Sequence, residues 1–411
     1  MSGSVERYRA RWVLPVDAPP LANGVLEIEN GRLTAVHDRD EPRAVDLGNV
    51  ALLPGLVNCH THLEFSEFAE PLPATGGFAN WLRRVVASRR DRPDSRKSVA
   101  IGLDELVHCG TSVVGEIATA GWDSAALSDN SPCCVAFHES IGLAAERHDE
   151  QLDLARRFLA APPCPGLLRG LSPHAPYSVH PDLYRDLVRL AVEDDVPLAV
   201  HLAETREERQ LLAAGDGPLR GLLEELGAWD GGAIPSGSRP LDYLEPLDRL
   251  DRALVIHGNF LDDEEIAWLG HHRQVTVVYC PRTHDYFGHP LHPWRRLLDA
   301  GASVALGTDS RTSNPDLSVF NEVQFLARRD PDADPAELLE LATLAGARAL
   351  GLDADYGSLA EGKVAEAVIV ELGGEGDPLS DVVSRGRIAR RLGPGLPPTQ
   401  GSLHNGTEHP G

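Results

Sequence analysis

The stretch that decides the fold is residues 50–62, VALLPGLVNCHTH. Its first eight residues form a short apolar run with a Pro-Gly turn, which is typical of a buried strand. Side chains alternate between the two faces of a strand, so His60 and His62 point one way while Cys59 and Thr61 point the other. Two imidazoles side by side at a strand end make half of a metal site. The other half has to come from the ends of other strands.

Short apolar segments alternate with amphipathic helical segments beyond residue 51, which is the pattern of a parallel α/β sheet. Eight segments are predicted strands: 52–59, 111–118, 135–138, 170–173, 198–202, 253–257, 275–280 and 303–307. Helices are predicted between them, for example over 181–193, 206–226 and 262–269. Eight strand–helix units over about 260–300 residues have the size of a (β/α)8 TIM barrel. A doubly wound sheet is the alternative, but it calls for a glycine-rich phosphate turn after an early strand, and the sequence has none there.

The two ends of the chain have a different pattern. Residues 24–36 alternate like strands around an Asn-Gly hairpin turn, and residues 357–370 return to turns and a strand after a helix predicted over 335–350. We expect both ends to build one small β-sandwich. The tail is rich in Gly, Pro, Ser, Thr and His and is expected to be disordered. The predicted division is sandwich over 1–50, barrel over 51–350, sandwich over 351–395 and tail over 396–411.

The composition excludes several classes of protein. The chain has 411 residues, of which 42% are hydrophobic, and this is ordinary for a soluble globular protein. A net charge of -24 argues against binding to nucleic acid or to an anionic membrane. No apolar run approaches the roughly 18 residues of a membrane span, and no secretory signal is recognisable. The six cysteines are scattered without Cys-x-x-Cys pairs, so we expect reduced thiols in a cytoplasmic protein.

Polar residues recur at the ends of the predicted strands, where TIM barrels carry their reactive groups. Chance rarely places polar groups repeatedly at one face of a barrel, and this pattern favours a metal site. In strand order these residues are His60 and His62, Glu116, Glu139, His174, His201 and Glu204, His257, Arg282, and Asp309 and Ser310.

These segments resemble the amidohydrolase superfamily. The matching motifs are PGLVNCHTH at 54–62, HLAET at 201–205, HGN at 257–259, LGTDS at 306–310 and GSLAEGK at 357–363. The resemblance extends to about residue 372 and is strongest to the branch of cytosine, guanine and adenosylhomocysteine deaminases and triazine hydrolases. Most members carry Ala-Asp after that lysine, whereas this chain has Ala365-Glu366, a change that falls in the predicted sandwich.

The resemblance implies a metal centre and a separate catalytic role for each of three residues around it. Such a metal lowers the pKa of water towards neutrality, so that hydroxide is available at pH 7. Asp309 would take the proton of the water, His257 would orient the hydroxide, and Glu204 would protonate a ring nitrogen of the substrate and then the departing amine. The implied ligands of one divalent ion, zinc or alternatively iron, are His60, His62, His201 and Asp309.

The lysines bear on the number of metal ions. Binuclear members of the superfamily bridge two metals with a carbamylated lysine at the end of the fourth strand. The lysines of this chain are Lys97, before strand two, and Lys363, in the terminal segment, whereas the fourth strand ends in Pro173-His174. The sequence therefore predicts a single metal.

The resemblance also implies where the substrate binds. In the deaminase branch a histidine at the position of His174 lines the substrate pocket, although a structural cap is the alternative. Glu116 and Glu139 can be substrate ligands or structural carboxylates, and residues 63–80 form a predicted lid. The predicted substrate contacts are His174, Glu64, Glu116, Arg282 and Ser310.

The predicted activity is hydrolytic deamination of an N-heterocycle. Purine nucleoside-like substrates are favoured, with aminodeoxyfutalosine, adenosylhomocysteine and methylthioadenosine as candidates. One alternative is a triazine-type chlorohydrolase or cyclic amide hydrolase that uses the same site. Another is an inactive barrel that serves as a scaffold, but such proteins usually lose ligands and this chain keeps them all. The expected partner is a small molecule rather than nucleic acid or a membrane, and the family pattern is compatible with a homo-oligomer.

Overall fold

The computed structural model describes residues 5–91 and 95–393. The strands are β1 (Glu6–Arg9), β2 (Trp12–Val13), β3 (Leu21–Ala22), β4 (Val25–Glu29), β5 (Arg32–His37), β6 (Val45–Asp46), β7 (Val50–Pro54), β8 (Leu56–Thr61), β9 (Thr111–Ala118), β10 (Cys133–Ser140), β11 (Leu167–Pro173), β12 (Leu198–Leu202), β13 (Ala253–His257), β14 (Val275–Tyr279), β15 (Ser303–Leu306), β16 (Ala367–Glu371) and β17 (Arg387–Leu392). The α-helices are α1 (Phe78–Asp91), α2 (Arg96–His108), α3 (His148–Leu159), α4 (Pro181–Glu193), α5 (Arg206–Ala214), α6 (Pro218–Glu225), α7 (Leu241–Leu244), α8 (Asp263–His271), α9 (Pro281–Tyr286), α10 (Trp294–Asp299), α11 (Val319–Arg329), α12 (Pro335–Leu341), α13 (Leu344–Ala349) and α14 (Pro378–Arg385). Within the described ranges, every helix is too short or too polar to cross a membrane.

Strands β8 to β15 form the predicted barrel. They are neighbours in chain order, and each adjacent pair runs parallel. The circle closes between β8 and β15 through a parallel bridge from Thr61 to Asp309. At the same place, the N–H groups of Thr308 and Asp309 donate to the His60 carbonyl at 3.2 and 3.0 Å. A closed parallel barrel of eight strands is the TIM-barrel arrangement, and it excludes the doubly wound alternative.

The interior of the barrel is apolar. One buried cluster joins Val113, Phe137, Ala199 and Ile256, which come from four different strands. Side chains two residues apart on a strand share a face. His201 therefore continues the interior face of Ala199 towards the carboxyl end of β12, where TIM barrels carry their chemistry.

The two chain ends form two further sheets, with strand orders β5-β4-β1-β6 and β17-β16-β7-β2-β3. C-terminal β16 pairs antiparallel with N-terminal β7, with Ala367 opposite Pro54. Side chains from both sheets, including Tyr8, Leu26 and Ile369, share one buried cluster. The predicted sandwich of both chain ends is therefore confirmed.

The predicted bounds of the first barrel strand, 52–59, are wrong. The chain divides at Gly55, so that β7 joins the end sheet through β16 while β8 joins the barrel through β9. A Cβ atom at Gly55 would lie 1.8 Å from the hydroxyl oxygen of Ser112, and only glycine avoids this clash. The Pro54-Gly55 turn thus transfers the chain from one sheet to the next.

Two long predicted helices are each divided in the structure. The helix predicted over 206–226 is α5 followed by α6, because Gly215 takes a left-handed conformation with φ 68° and Pro218 starts a new helix. The helix predicted over 335–350 is α12 followed by α13. By contrast, α4 has its predicted bounds. The predicted tail, 396–411, lies outside the described residues.

Candidate active site

Three buried histidines converge at the mouth of the barrel. His60 lies in β8, His62 follows that strand, and His201 lies in β12. Their candidate ligand nitrogens all lie within 4.8 Å of one another, and Nε2 of His62 is 3.3 Å from Nε2 of His201. The carboxylate of Asp309 approaches this cluster, with Oδ1 at 3.6 Å from His60 Nε2 and 3.7 Å from His62 Nε2. Four groups of metal-ligand type therefore meet at one point.

Several ring nitrogens of this cluster have no hydrogen-bond partner among the described residues. Burial and the neighbouring His60 lower the pKa of His62 and of His201 far below the ordinary value, so both rings are neutral at pH 7. Nδ1 of His201 lies 3.1 Å from the His174 carbonyl oxygen, to which it can donate, and this leaves Nε2 unprotonated. Both ring nitrogens of His60 and Nδ1 of His62 are buried, and none of the three has a hydrogen-bond partner among the described residues.

The donor set fits a divalent metal ion. Buried polar atoms without partners are costly unless they bind a ligand. Burial favours protonation of Asp309, but the His60 imidazole, whose Nε2 lies 3.6 Å away, and the other nearby imidazoles outweigh this effect and hold the pKa of this carboxyl well below its usual range. Three imidazoles and one carboxylate form a donor set that zinc accepts. The chain thus contains a candidate three-histidine metal site with a carboxylate beside it.

An acid and a neutral imidazole lie next to this cluster. Oε1 of Glu204, after β12, is 3.5 Å from Nε2 of His257, at the end of β13. Burial raises the pKa of Glu204 well above its ordinary value, and the charges of Asp309 and Glu208 raise it further. Burial lowers the pKa of His257 to about 3. Burial thus favours the protonated form of the Glu204 carboxyl and the neutral form of the His257 imidazole.

The backbone presents these groups in left-handed conformations. Ala203, His257 and Asp309 have φ values of 53°, 70° and 58°, which are strained for residues other than glycine. The buried carboxylate of Glu208 stabilises the first of these turns, because it accepts hydrogen bonds from the N–H groups of Ala203 and Glu204 at 2.9 and 2.8 Å. The direction of the Glu204 side chain thus depends on Glu208.

A cavity opens above these groups, with a volume of about 160 Å³ available to the centre of a water molecule. We call its polar side the floor, which consists of His62, His201, Glu204, His257 and Asp309. We call its apolar side the roof, which consists of Phe78, Trp81, Leu82 and Val85 from α1 and Leu222 and Leu223 from α6. An apolar enclosure with a few converging polar groups is typical of a small-molecule site.

A sequence profile of the amidohydrolase family matches residues 51–406. The chain belongs to this family. The match includes the whole barrel and the C-terminal strands of the sandwich.

Known amidohydrolases resemble the chain over most of its length. An aminodeoxyfutalosine deaminase of Deinococcus radiodurans is 30% identical over 330 residues, which cover 76% of this chain and 77% of the relative. A 5-methylthioadenosine/S-adenosylhomocysteine deaminase of Moorella thermoacetica is 29% identical over 389 residues, which cover 88% and 84%. Among solved structures, a zinc-bound adenosine deaminase of Xanthomonas campestris superimposes with a TM-score of 0.67 at 26% identity, covering 92% of this chain and 88% of that one.

Several predicted site residues of this amidohydrolase lie in the cavity. Besides the floor residues, His174 and Ser310 line it. Nδ1 of His174 is 2.6 Å from the Ser178 hydroxyl, and burial lowers the pKa of His174 to about 3. The Ser310 hydroxyl bonds to that of Thr312. His174 is therefore a neutral ring fixed at the cavity wall.

Glu116 lies beside the candidate metal site and is not among the residues that line the cavity. Its carboxylate accepts hydrogen bonds from the Thr61 hydroxyl at 2.7 Å and from the Leu63 N–H at 3.1 Å. Burial raises its pKa well above the ordinary value. The geometry favours the structural alternative for Glu116, in which it fixes the backbone on both sides of His62. The sequence could not distinguish the two because the strand end leaves the side-chain direction open.

Arg282 and Glu64 are also turned away from this cavity. The guanidinium of Arg282 lies 2.7 Å from the Glu322 carboxylate and 2.7 Å from the Asp316 carboxylate, so it braces the loop after β15. Glu64 Oε1 instead pairs with Arg89 of α1 at 2.6 Å and lines a neighbouring cavity. Their roles as substrate ligands within this cavity gain no support from the geometry.

The sequence-based predictions do not include the roof of the cavity or the role of Glu208 in the turn that precedes Glu204. Residues 63–80 were predicted as a lid loop, whereas α1 already begins at Phe78 and supplies much of the roof. Apolar residues at 78, 81, 82 and 85 have the i, i+3, i+4, i+7 spacing that predicts this helix. Glu208 follows Thr205 by three residues, which is the spacing of a capping box at a helix start.

Proposed function

We propose that this amidohydrolase is a metal-dependent aminohydrolase that deaminates a purine nucleoside-like heterocycle. The observation that carries the proposal is the buried Glu204 carboxyl, whose Oε1 lies 3.5 Å from Nε2 of His257, with both groups lining one cavity beside the His60–His62–His201–Asp309 cluster. Deamination of an aromatic ring needs proton delivery to a ring nitrogen at the same time as attack on the neighbouring carbon.

The net reaction exchanges an amino group for an oxygen. A C–O bond forms between water and the amino-bearing ring carbon, the C–N bond breaks, and ammonia leaves. Glu204 donates its proton to the adjacent ring nitrogen, which makes the carbon more electrophilic. Asp309 accepts a proton from the attacking water, and the imidazole of His257 orients that water. Water supplies two protons, one that Asp309 accepts during the attack and one that the adduct hydroxyl loses when the C=O bond forms. One of them reaches the departing amine through Glu204 and leaves in ammonia, and the other restores the protonated Glu204.

The metal would be held by His60, His62, His201 and Asp309. When bound there, a divalent ion supplies a Lewis acid that lowers the pKa of water into the neutral range. We propose a single ion, with zinc favoured over iron, and the zinc-bound relative supports zinc. Metal analysis of purified, active protein is expected to give one equivalent per chain, and two equivalents would contradict the single-ion proposal.

The substrate class rests on the relatives and on the shape of the cavity. The relatives named above act on adenosine derivatives according to their names. The apolar roof offers a flat purine a surface to pack against, and the Glu204 carboxyl lines the same cavity. Aminodeoxyfutalosine, adenosylhomocysteine and methylthioadenosine are therefore the proposed candidates.

The test is ammonia release from a panel of aminopurines, aminopurine nucleosides and aminopyrimidines, measured for the wild type and for Glu204→Gln. The glutamine has nearly the same shape but carries no transferable acid proton. We expect kcat to fall about 10²- to 10⁴-fold, the contribution of a general acid. Glu193→Gln, an exposed change on α4, is the matched control and is expected to behave as wild type.

Two outcomes would contradict the proposal. One is equal activity of metal-loaded wild type and Glu204→Gln on every substrate of the panel. The other is release of chloride from a chlorotriazine, or of a carboxylate from a cyclic amide, by a wild type that releases no ammonia from any purine.

A further inference from the structure

A second cavity adjoins the first on the α1 side. It offers about 860 Å³ to the centre of a water molecule and is lined by residues after β8, β9 and β10 and by α3. The two cavities share Arg89 and Ile141 as lining residues. The two cavities therefore lie on either side of these two residues.

An ion cluster forms the wall between the two cavities. The Arg89 guanidinium pairs with Glu64 at 2.6 Å and with Glu139 at 3.2 Å. The carboxyl side chains are only 10% and 3% exposed, so this wall holds two acids and one base away from bulk water. Its formal charge is negative by one unit when both acids are ionised. A buried negative wall favours ligands that donate hydrogen bonds.

Three polar atoms in residues around the second cavity lack partners. They are Oε1 of Glu139, Nε2 of His138 and Nε1 of Trp122, each buried and without a hydrogen-bond partner among the described residues. The Trp122 indole can only donate, whereas a carboxylate can only accept. Hydroxyl groups do both, so a ligand with several hydroxyls can satisfy atoms of both kinds.

The roof of the first cavity offers a sugar no hydrogen bonds. It is apolar, and a hydroxyl buried against it loses its hydrogen bonds to water without replacement. With the purine on the floor, the polar wall beside Arg89 is the neighbouring surface that carries buried acceptors.

We propose that the Glu64–Arg89–Glu139 cluster recognises the sugar hydroxyls of a ribonucleoside substrate, whose remaining substituent extends into the second cavity. This inference rests on the proposed deamination of a purine nucleoside. Glu139 accepts a hydrogen bond from a hydroxyl through Oε1, and Arg89 is a positioning residue that holds both carboxylates in place. Selectivity for a ribonucleoside over a sugar without hydroxyls therefore comes from this wall, whereas the floor performs the reaction.

The test compares kcat/KM for 5'-methylthioadenosine with that for its 2',3'-dideoxy analogue. The wild type is expected to prefer the hydroxylated substrate about 10- to 100-fold, the range for hydrogen bonds to a charged group. Glu139→Gln is expected to lower kcat/KM for 5'-methylthioadenosine about tenfold and to leave that for the dideoxy analogue within about twofold. Activity on the dideoxy analogue also shows that the variant is folded.

Further variants separate recognition from a structural effect. Glu146→Gln makes the same chemical change on an exposed residue near the second cavity and is expected to keep the wild-type preference. Arg89→Lys keeps a charge between the two acids, so it is expected to retain more of the preference than Arg89→Met. The measured quantity in every case is the ratio of kcat/KM for the two substrates.

The outcomes distinguish this inference from the function on which it rests. Equal losses on both substrates in Glu139→Gln, or a wild type that deaminates both equally well, would overturn the sugar-recognition role and leave the deaminase proposal intact. A wild type that releases ammonia from neither nucleoside would overturn the proposed function and this inference with it.

Discussion

The floor residues of the cavity lie at the ends of barrel strands. The roof residues lie on two helices, and side-chain contacts hold the first of these helices in place. The floor residues His62, His201 and His257 lie in or directly after β8, β12 and β13. The roof helix α1 is fixed instead through the Glu207 carboxylate, which accepts hydrogen bonds from the N–H groups of Phe78 and Ala79 at 3.1 and 2.9 Å. The difference indicates that the floor keeps one geometry for the chemistry, while the roof can change with the substrate.

The strongest way to break this comparison is to remove a floor ligand. His62→Ala deletes one imidazole of the candidate metal site. A bound metal ion contributes several kcal/mol to stabilisation of the transition state. We expect kcat/KM to fall about 10³-fold or more, with loss of bound metal. The measurements are ammonia release and metal content of the same preparation. Full activity without metal would show that the floor works in another way.

The turn beneath the floor is expected to give stability a distinctive pH dependence. Burial raises the pKa of Glu208 to about 7, compared with about 4.3 in an unfolded chain. The folded protein therefore binds more protons between these values, and the free energy of unfolding decreases as pH rises from about 4.3 to 7, by about 4 kcal/mol in total. Above pH 7 this contribution is constant.

Denaturant unfolding at pH 5 to 8 measures this effect. Glu208→Gln cannot ionise, so its free energy of unfolding is expected to decline less steeply with pH than that of the wild type. Parallel curves for the two proteins would mean that Glu208 keeps an ordinary pKa.

A roof substitution is expected to act on binding rather than on chemistry. The Trp81 indole N–H donates to the Thr312 carbonyl at 3.1 Å, and Trp81→Phe removes this bond while keeping an aromatic ring. We expect a loss of about 1 kcal/mol in the free energy of unfolding and a modest rise in KM, with kcat unchanged. Steady-state kinetics and denaturant unfolding measure both. A large drop in kcat would show that roof and floor are coupled.

The smallest effect is expected at the outer rim of the roof. Arg83 of α1 pairs with Glu225 of α6 at 2.7 Å, but both side chains are well exposed to solvent. Exposed ion pairs contribute little because water and salt screen them. Arg83→Ala is therefore expected to leave the melting temperature and KM unchanged within error, and a clear change in either would show that this pair closes the cavity.

The sequence predicted the floor well because its parts are local. Each floor residue follows an apolar run that is itself predictable, and the order of the runs fixes which ends meet. The hydrogen-bond partners of Glu116 and Arg282 cannot be predicted in this way. Both sit at strand ends, but their side chains bond to distant residues such as Thr61 and Glu322, and strand periodicity does not specify such contacts.

Long-range contacts also explain the other discrepancies. The division of the first strand at Gly55 depends on Ser112, which lies 57 residues away in the chain and becomes a neighbour only in the folded state. The wall between the cavities likewise joins Glu64, Arg89 and Glu139 from three separate segments. No window of sequence contains these partners together.

The contact that closes the barrel has a consequence for the synthesis of the protein. The Asn58 side chain donates to the Thr308 hydroxyl at 2.8 Å across a sequence separation of 250 residues. Closing so long a loop is entropically unfavourable until the last strand has docked. During synthesis on the ribosome, His60 and His62 therefore emerge long before Asp309, and the barrel cannot close around them until then. A nascent chain released before residue 309 would display metal-binding imidazoles without the carboxylate that completes them.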